Sequence, residues 1–216
     1  MLVLNFNWFY IKSALNFGIP LIPHSIGAIV ISMIDRLFIA KMVSLNEAGL
    51  YMVGYQIGMI IGIIQDSFNK AWVPYFFEKL KQNNILMNLK IIKITYIYFI
   101  GILLFSIIFS LLVPKILNII VGESYINASK YVFWISLGYA FDGMYKMVTN
   151  YIFFVRKNHI LAWLTFVTAA LNIILNYFLI KINGAVGAAQ ATAISFFVSF
   201  IITWFVSSKI YKCHGV

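Results

Sequence analysis

Long apolar runs separated by short polar breaks extend over nearly the whole chain. A helix that crosses a membrane needs about 20 mostly apolar residues. Six stretches reach that length, at 17–42, 48–77, 91–112, 131–155, 160–180 and 185–207. Their apolar residues are continuous rather than alternating, which predicts helices and not the strands of a membrane barrel. Proline and glycine inside the runs do not oppose this, because neighbouring helices in lipid satisfy freed backbone groups. Pro20 and Pro23 fall in the first turns of the first span, where proline is tolerated. Pro74 falls late in the second and is expected to bend or end it. The opening Met1–Leu15 segment is aromatic and apolar with a single lysine. It lacks a basic start and a small-residue cleavage site, so it reads as an interfacial lead-in rather than a signal peptide. The expected organisation is a lead-in at 1–16, a six-helix lobe at 17–208 and a cytoplasmic tail at 209–216. No connection exceeds about 20 residues, which leaves no room for a soluble catalytic domain.

Composition sharpens this picture. Of 216 residues, 62% are hydrophobic and 10% are charged, and the mean hydropathy is +0.93. Soluble domains run at about 45–50% apolar and about 25% charged, and disordered chains are less hydrophobic still. The lone Cys213 excludes a disulfide framework and a cysteine zinc site. His24, His159 and His214 have no metal-ligand spacing, so neither metal nor cofactor is expected. The net charge of +10 does not point to nucleic acid, because the basic residues lie singly between the apolar runs. That is the placement the positive-inside rule predicts. Nine of them collect on one side: Lys12, Lys79, Lys81, Lys90, Lys93, Arg156, Lys157, Lys209 and Lys212. The other side has four: Lys41, Lys115, Lys130 and Lys181. Both termini are therefore expected in the cytoplasm.

Three acid–base neighbours fall within the spans: Asp35–Arg36, Asp66–Lys70 and Asp142–Lys146. A charge at the bilayer centre costs about 2.5–3.5 kcal/mol, so such residues face a cavity or a partner. Asp66/Lys70 and Asp142/Lys146 have i,i+4 spacing, which places each pair on one helix face within salt-bridge reach. At about 1.5 Å per residue, Asp142 lies near the midplane of a core about 30 Å thick. Asp66 and Asp35 lie nearer opposite edges, where charge is cheaper. A cavity role is expected first for Asp142 and Lys146. The second and fourth spans share the pattern Asp-x3-Lys-x4-Tyr-x-Phe, at Asp66, Lys70, Tyr75 and Phe77 and at Asp142, Lys146, Tyr151 and Phe153.

The fifth span carries a polar stripe of Thr165, Thr168, Asn172 and Asn176. In lipid such a stripe faces protein or water. The sixth opens with Gly184, Gly187, Ala188 and Ala189 and continues its stripe through Thr192, Ser195, Ser199 and Thr203. Small residues permit close helix approach, so packing is the main reading there. The chain has no nucleotide-binding glycine loop, no HExxH and no GxSxG. No paired carboxylates stand apart from a basic partner, so the reading is not an enzyme.

Several ordered motifs are more specific. Gly18-Ile-Pro-Leu-Ile-Pro-His-Ser25 is followed by Ile34-Asp-Arg-Leu-Phe-Ile-Ala40 and by Glu47-Ala-Gly-Leu-Tyr51. Then come Phe68-Asn-Lys-Ala-Trp-Val-Pro-Tyr75 and Leu171-Asn-Ile-Ile-Leu-Asn-Tyr-Phe-Leu-Ile180. The last begins at Gly184-Ala-Val-Gly187 and runs through Thr192 to Ser195. In this order and spacing they resemble the second half of bacterial polysaccharide flippases. These are the O-antigen and capsule repeat-unit transporters of the multidrug/oligosaccharidyl-lipid/polysaccharide exporter superfamily. One departure is Lys181, where such proteins often have proline. The resemblance implies an all-α, six-helix lobe of a MATE-like transporter of 12–14 helices in the bacterial cytoplasmic membrane. It implies a polyprenyl-diphosphate-linked oligosaccharide as substrate, moved between leaflets by alternating access. Membrane lipids and a second lobe, from another chain or a homodimer, are the implied partners. Arg36, Lys70 and Lys146 are then candidates for anionic contacts, and Asp35, Asp66 and Asp142 for tuning them or carrying coupling protons. Asn172 and Asn176 complete the expected substrate cavity. The alternatives are a drug/cation exporter of the same superfamily, a repeat-unit polymerase or glycosyltransferase, and a non-functional flippase remnant.

Overall fold

A computed structural model describes residues 8–19, 21–82, 84–120 and 123–211. Pro20, Lys212, Cys213 and His214, and the side chains of Pro23 and His24, lie outside the described residues. The rest is helical: α1 (Trp8–Gly18), α2 (Leu21–Met42), α3 (Leu45–Lys81), α4 (Ile85–Ile120), a 3-10 turn (Glu123–Ala128), α5 (Ser129–Phe154), α6 (Asn158–Asn183) and α7 (Ala185–Ile210). Four of these helices are long and apolar enough to cross a membrane, over Leu45–Lys81, Ile85–Lys115, Asn158–Asn183 and Ala185–Ile210. The chain is a multi-pass helical membrane protein. α2 covers the first expected stretch from Leu21 onward, the opening residues of that stretch belonging to α1, and α5 covers the fourth to within a residue or two at each end, as helices of 22 and 26 residues.

Local chemistry sets the ends. The Ser44 hydroxyl accepts a hydrogen bond from the Glu47 amide at 3.1 Å and caps α3, whose first turn holds Glu47. An oxygen cap and an acid there satisfy amides that have no partner within the helix and suit its positive end. The junction of α6 and α7 turns on Gly184, at φ +58°, a conformation that favours glycine. Three residues on, a Cβ at Gly187 would lie 2.1 Å from the Leu179 carbonyl oxygen, so only glycine permits this turn.

Two helices depart from expectation. Pro74 neither ends α3 nor interrupts it, since the helix runs on to Lys81. The missing amide leaves one carbonyl free near the helix end, which a membrane helix tolerates. α4 extends from Ile85 to Ile120, well beyond 91–112. Hydropathy marks the part of a helix that suits lipid, not the part that is helical, and Asn88 and Lys90 before it and Lys115 after it continue the helix.

α5 is the central helix. It packs most closely on α7 and α3 and also on α4, while α6 packs on α7 and α2. The α3–α5 contact rests on glycines at intervals of four. A Cβ at Gly54 would meet the Ala128 carbonyl at 2.6 Å. At Gly58 it would meet Ile135 at 2.6 Å, and at Gly62 the Tyr139 ring at 2.8 Å. Small residues of this kind bring helix backbones together where lipid removes most of the hydrophobic drive for association. Around this seam lie two apolar clusters, one centred on Phe76, Ile91, Phe99 and Met147, the other on Ile39, Tyr51, Tyr131 and Ile135.

Replacing Gly58 with valine should therefore force α3 off α5. The expected loss is about 1–3 kcal/mol, the usual cost of overpacking. Unfolding in mixed micelles titrated with SDS would show it, while Gly101→Val, at an open position on α4, should change little.

Candidate functional site

The polar residues of the spans gather into two groups. The first surrounds Asp35 on α2, which is fully buried. Tyr51 of α3 donates to its Oδ2 at 2.6 Å, and Thr192 of α7 donates to the same oxygen at 2.6 Å. Asn176 of α6 donates to Oδ1 at 2.8 Å. Asn172, one turn earlier on α6, donates to Thr192 at 3.4 Å and accepts from Asn176 through its Oδ1 at 3.1 Å. One carboxylate thus binds three further helices. The stripes of α6 and α7 face each other to build it, and Thr165, Thr168, Asn172, Asn176, Thr192, Ser195, Ser199 and Thr203 are all buried.

Arg36 does not join this group. Its side chain lies about 100° around the helix from that of Asp35, with the guanidinium carbon 5.1 Å above the Tyr55 ring. Its Nε is buried with no hydrogen-bond partner among the described residues. Tyr139 donates to the Tyr55 hydroxyl at 2.8 Å, so the two phenols stand between Arg36 and the second group.

That second group joins α3 to α5. Lys146 Nζ lies 2.9 Å from Asp142 on its own helix and 2.5 Å from Asp66 on α3. Gln65 donates to Asp142 Oδ2 at 2.7 Å. The i,i+4 pairing of Asp142 with Lys146 is as expected. The pairing of Asp66 with Lys70 is not: Asp66 reaches across to Lys146 instead. Lys70 is exposed, with no acid in ion-pair range among the described residues. Two carboxylates share one ammonium, and that ammonium is the least exposed way to neutralise Asp142, whose side chain is 17% exposed.

Asp142 and Lys146 line a cavity of about 240 Å³ between α2, α3, α5, α6 and α7. Tyr55, Tyr139, Thr165 and Ser199 are also on its wall. Asp35, Asn172 and Asn176 are not. The cavity is smaller than the 300–1,000 Å³ typical of ligand pockets. It suits a small polar group or ion, not a sugar chain.

Among the described residues, the outer face of α3 stands out as polar. On α3 the exposed side carries Gln56, Asp66, Ser67 and Lys70 among Met52, Met59 and Ile63. The exposed middles of α4, α6 and α7 are apolar, with residues such as Ile100, Leu104, Phe166, Ile174, Phe197 and Ile201. Those three faces suit lipid. The polar face of α3 does not, since a charge in lipid faces water or protein.

The geometry defines a polytopic helical membrane protein with charged groups inside its bundle and along one outer face. Comparison with known proteins names the family. A family model described as polysaccharide biosynthesis protein matches residues 4–80. A Haemophilus influenzae protein of the Lsg locus is 29% identical over 154 residues, covering 71% of this chain and 37% of the relative. An uncharacterized membrane protein of the same organism is 32% identical over 160 residues, covering 69% of this chain and 36% of the relative. The chain spans little more than a third of these relatives. No solved structure matches it. These matches bear out the resemblance of the ordered motifs: the chain belongs to the polysaccharide biosynthesis protein family.

The glycines Gly54, Gly58 and Gly62 and the acceptor role of Asp35 were not anticipated. The glycine spacing is visible in the sequence as small residues at intervals of four. The meeting of Asp35 with Thr192 across 157 positions leaves no sequence signal.

Asp35→Leu should leave three donors unpaired. Interhelical side-chain hydrogen bonds in membranes average about 0.6 kcal/mol each, so a total loss of about 2 kcal/mol is expected. Asp35→Asn, which keeps an acceptor, should lose less. The same micelle unfolding measurement ranks the two, and equal losses would show that bulk rather than hydrogen bonding matters at this position.

Proposed function

We propose that the chain is one lobe of a flippase that moves a polyprenyl-diphosphate-linked oligosaccharide across the bacterial cytoplasmic membrane for surface polysaccharide synthesis. It is a transporter and not an enzyme. α2 to α7 each cross the bilayer, with both termini cytoplasmic and a second lobe supplied by further chain or another copy. The observation that carries the reading is the polar outer face of α3. In a family concerned with polysaccharide biosynthesis, a charged face turned away from its own bundle is the natural wall of a path for a polar headgroup. Lys70 stands on that face with no acid in ion-pair range among the described residues, and Lys146 meets it through Asp66. A diphosphate passing along the face has two ammonium groups to contact, and the sugars have Gln56 and Ser67. The apolar faces of α4, α6 and α7 remain in lipid.

A drug or cation exporter is the second reading. It is favoured by the excess of carboxylate over ammonium in the cluster of Asp66, Asp142 and Lys146.

Replacing both Lys70 and Lys146 with methionine should decide between them. In cells that depend on this protein, the flippase reading expects surface polysaccharide to fall by about tenfold or more, the worth of one lost charge contact. Lipid-linked repeat units should accumulate, with the protein still present in the membrane. Unchanged surface polysaccharide would sink the reading, and loss of cationic dye efflux instead would establish the exporter.

A further inference from the structure

On the side of α5 away from the charged cluster, the bundle has a groove that the proposed transport path does not use. α4 and α7 both lie against α5 and meet each other through aromatic rings. Phe99 sits 5.2 Å from Phe200 and 6.3 Å from Trp204, and Tyr96 sits 6.3 Å from Trp204, measured between ring centroids. Toward the start of α4 and the ends of α5 and α7 the two walls part. They leave a groove of about 600 Å³ with Val148 and Tyr151 as its floor. Thr95 and Tyr96 form one wall, and Trp204 and Ser207 the other.

The lining tells what fits. Aromatic rings beside hydroxyls suggest a sugar at first sight, but the hydroxyl protons are already committed. Thr95 donates to the Ile91 carbonyl at 3.0 Å and Ser207 to the Val148 carbonyl at 2.9 Å. Ser208, at the rim, donates to the Phe205 carbonyl at 2.9 Å. A sugar seated here would find ring faces, methyl groups and the phenols of Tyr96, Tyr151 and Tyr211, but the aliphatic hydroxyls have spent their protons, an incomplete return for the water that its many hydroxyls would lose. An alkyl chain loses nothing. The volume lies within the range of about 300–1,000 Å³ of small-molecule sites. The surfaces beside the groove, with Ile97 and Ile100 on α4 and Ile201 and Phe205 on α7, are exposed and apolar. The groove is therefore entered sideways from the bilayer.

Charge selects the head that accompanies the chain. α4 and α7 contain no Asp or Glu. No lysine is among the described residues that line the groove itself, but Lys93 follows the lining residue Ile92 on α4 and Lys209 follows the lining residue Ser208 on α7, its ammonium 4.3 Å over the Phe205 ring. The only acid on α5 is Asp142, which is on the opposite face and paired with Lys146. Basic groups at the mouth of a cleft between membrane helices hold anionic lipid heads. The long lysine side chains can reach the interface from flanking positions.

We propose that this groove is a binding site for an anionic phospholipid of the bilayer, with one acyl chain between α4 and α7 and the phosphate held at the mouth by Lys93 and Lys209. The bound lipid fills the gap between two helices that meet through their rings, and so braces α4 against the bundle. The site does not depend on what the protein transports.

The test uses the full protein in mild detergent, supplied with dioleoyl-phosphatidylglycerol or dioleoyl-phosphatidylcholine and weighed intact by native mass spectrometry. One retained phosphatidylglycerol is expected, preferred over phosphatidylcholine by about thirtyfold, the worth of two lysines near the headgroup. S208W places an indole at the rim and should abolish retention. The double variant Lys93→Gln/Lys209→Gln leaves the groove open and should keep retention but lose the preference. The thermal aggregation midpoint of each variant checks that it is folded, and if S208W is not, the lysine pair decides. Equal retention of both lipids by the unaltered protein would overturn the proposal. So would a preference unaffected by the lysine changes, or a native preparation that carries polyprenyl phosphate in place of phospholipid.

Discussion

Inside a membrane every polar group must find its partner within the protein, and at Asp35 that rule draws four helices to one point. Its two oxygens take hydrogen bonds from Tyr51, Thr192 and Asn176, and hence from α3, α7 and α6. None of these donors could turn to water instead, so each helix is held in rotation as well as in position. With α2 fixed against α6 and α7, the stripe of Thr165, Thr168 and Ser199 is fixed too, and that stripe forms part of the wall opposite Asp142. The small cavity exists because the network behind it sets the distance between its walls.

α5 divides the chemistry of the lobe. Its glycine-matched contact with α3 brings Asp142 and Lys146 up to Gln65 and Asp66, which needs the backbones close enough for short side chains to meet. Its other side supports α4 and α7 with apolar and aromatic residues, and no charged side chain is among the described residues that line the groove there. One helix thus separates a charged region from a lipid-like one. Lys146 serves as the pivot because it is long enough to stay on the ion pair with Asp142 while reaching the exposed carboxylate of Asp66. An arginine would match the charge, but its planar fork would not sit as easily on two carboxylates approached from different directions.

Much of the helical layout was legible along the chain, because the need to cover backbone groups in lipid imposes length and apolarity on each segment. The long helices lie where the apolar runs are, and α6 and α7 end within a few residues of expectation. The polar stripe of α6, expected to face protein or water, is buried between helices and partly on the cavity wall, and that of α7, expected to pack, is buried beside it. The misreadings have local causes. Asp66 was matched to Lys70 because i,i+4 spacing is the only pairing a single helix shows. Asn172 and Asn176 were grouped with the charged residues because polarity alone does not say which of two interior sites a side chain joins. Pro74, expected to bend or end its helix, does not end it, because in a membrane protein neighbouring groups can satisfy a carbonyl that proline frees.

The sequence by itself determined that the chain is a helical membrane protein of the polysaccharide biosynthesis family, and which residues carry charge within its spans. Apolarity, helix period and ordered motifs are all local properties, and they remain the same however the helices are arranged. Which acid meets which base was decided only by the tertiary structure. Asp35 with Thr192, Asp66 with Lys146 and Gln65 with Asp142 each lie more than 70 positions apart, and their pairing follows from how closely glycines let helices approach and from the rotation each helix takes in the bundle. The groove between α4 and α7 has the same origin. It is the space left where two helices share one neighbour without filling the gap between them.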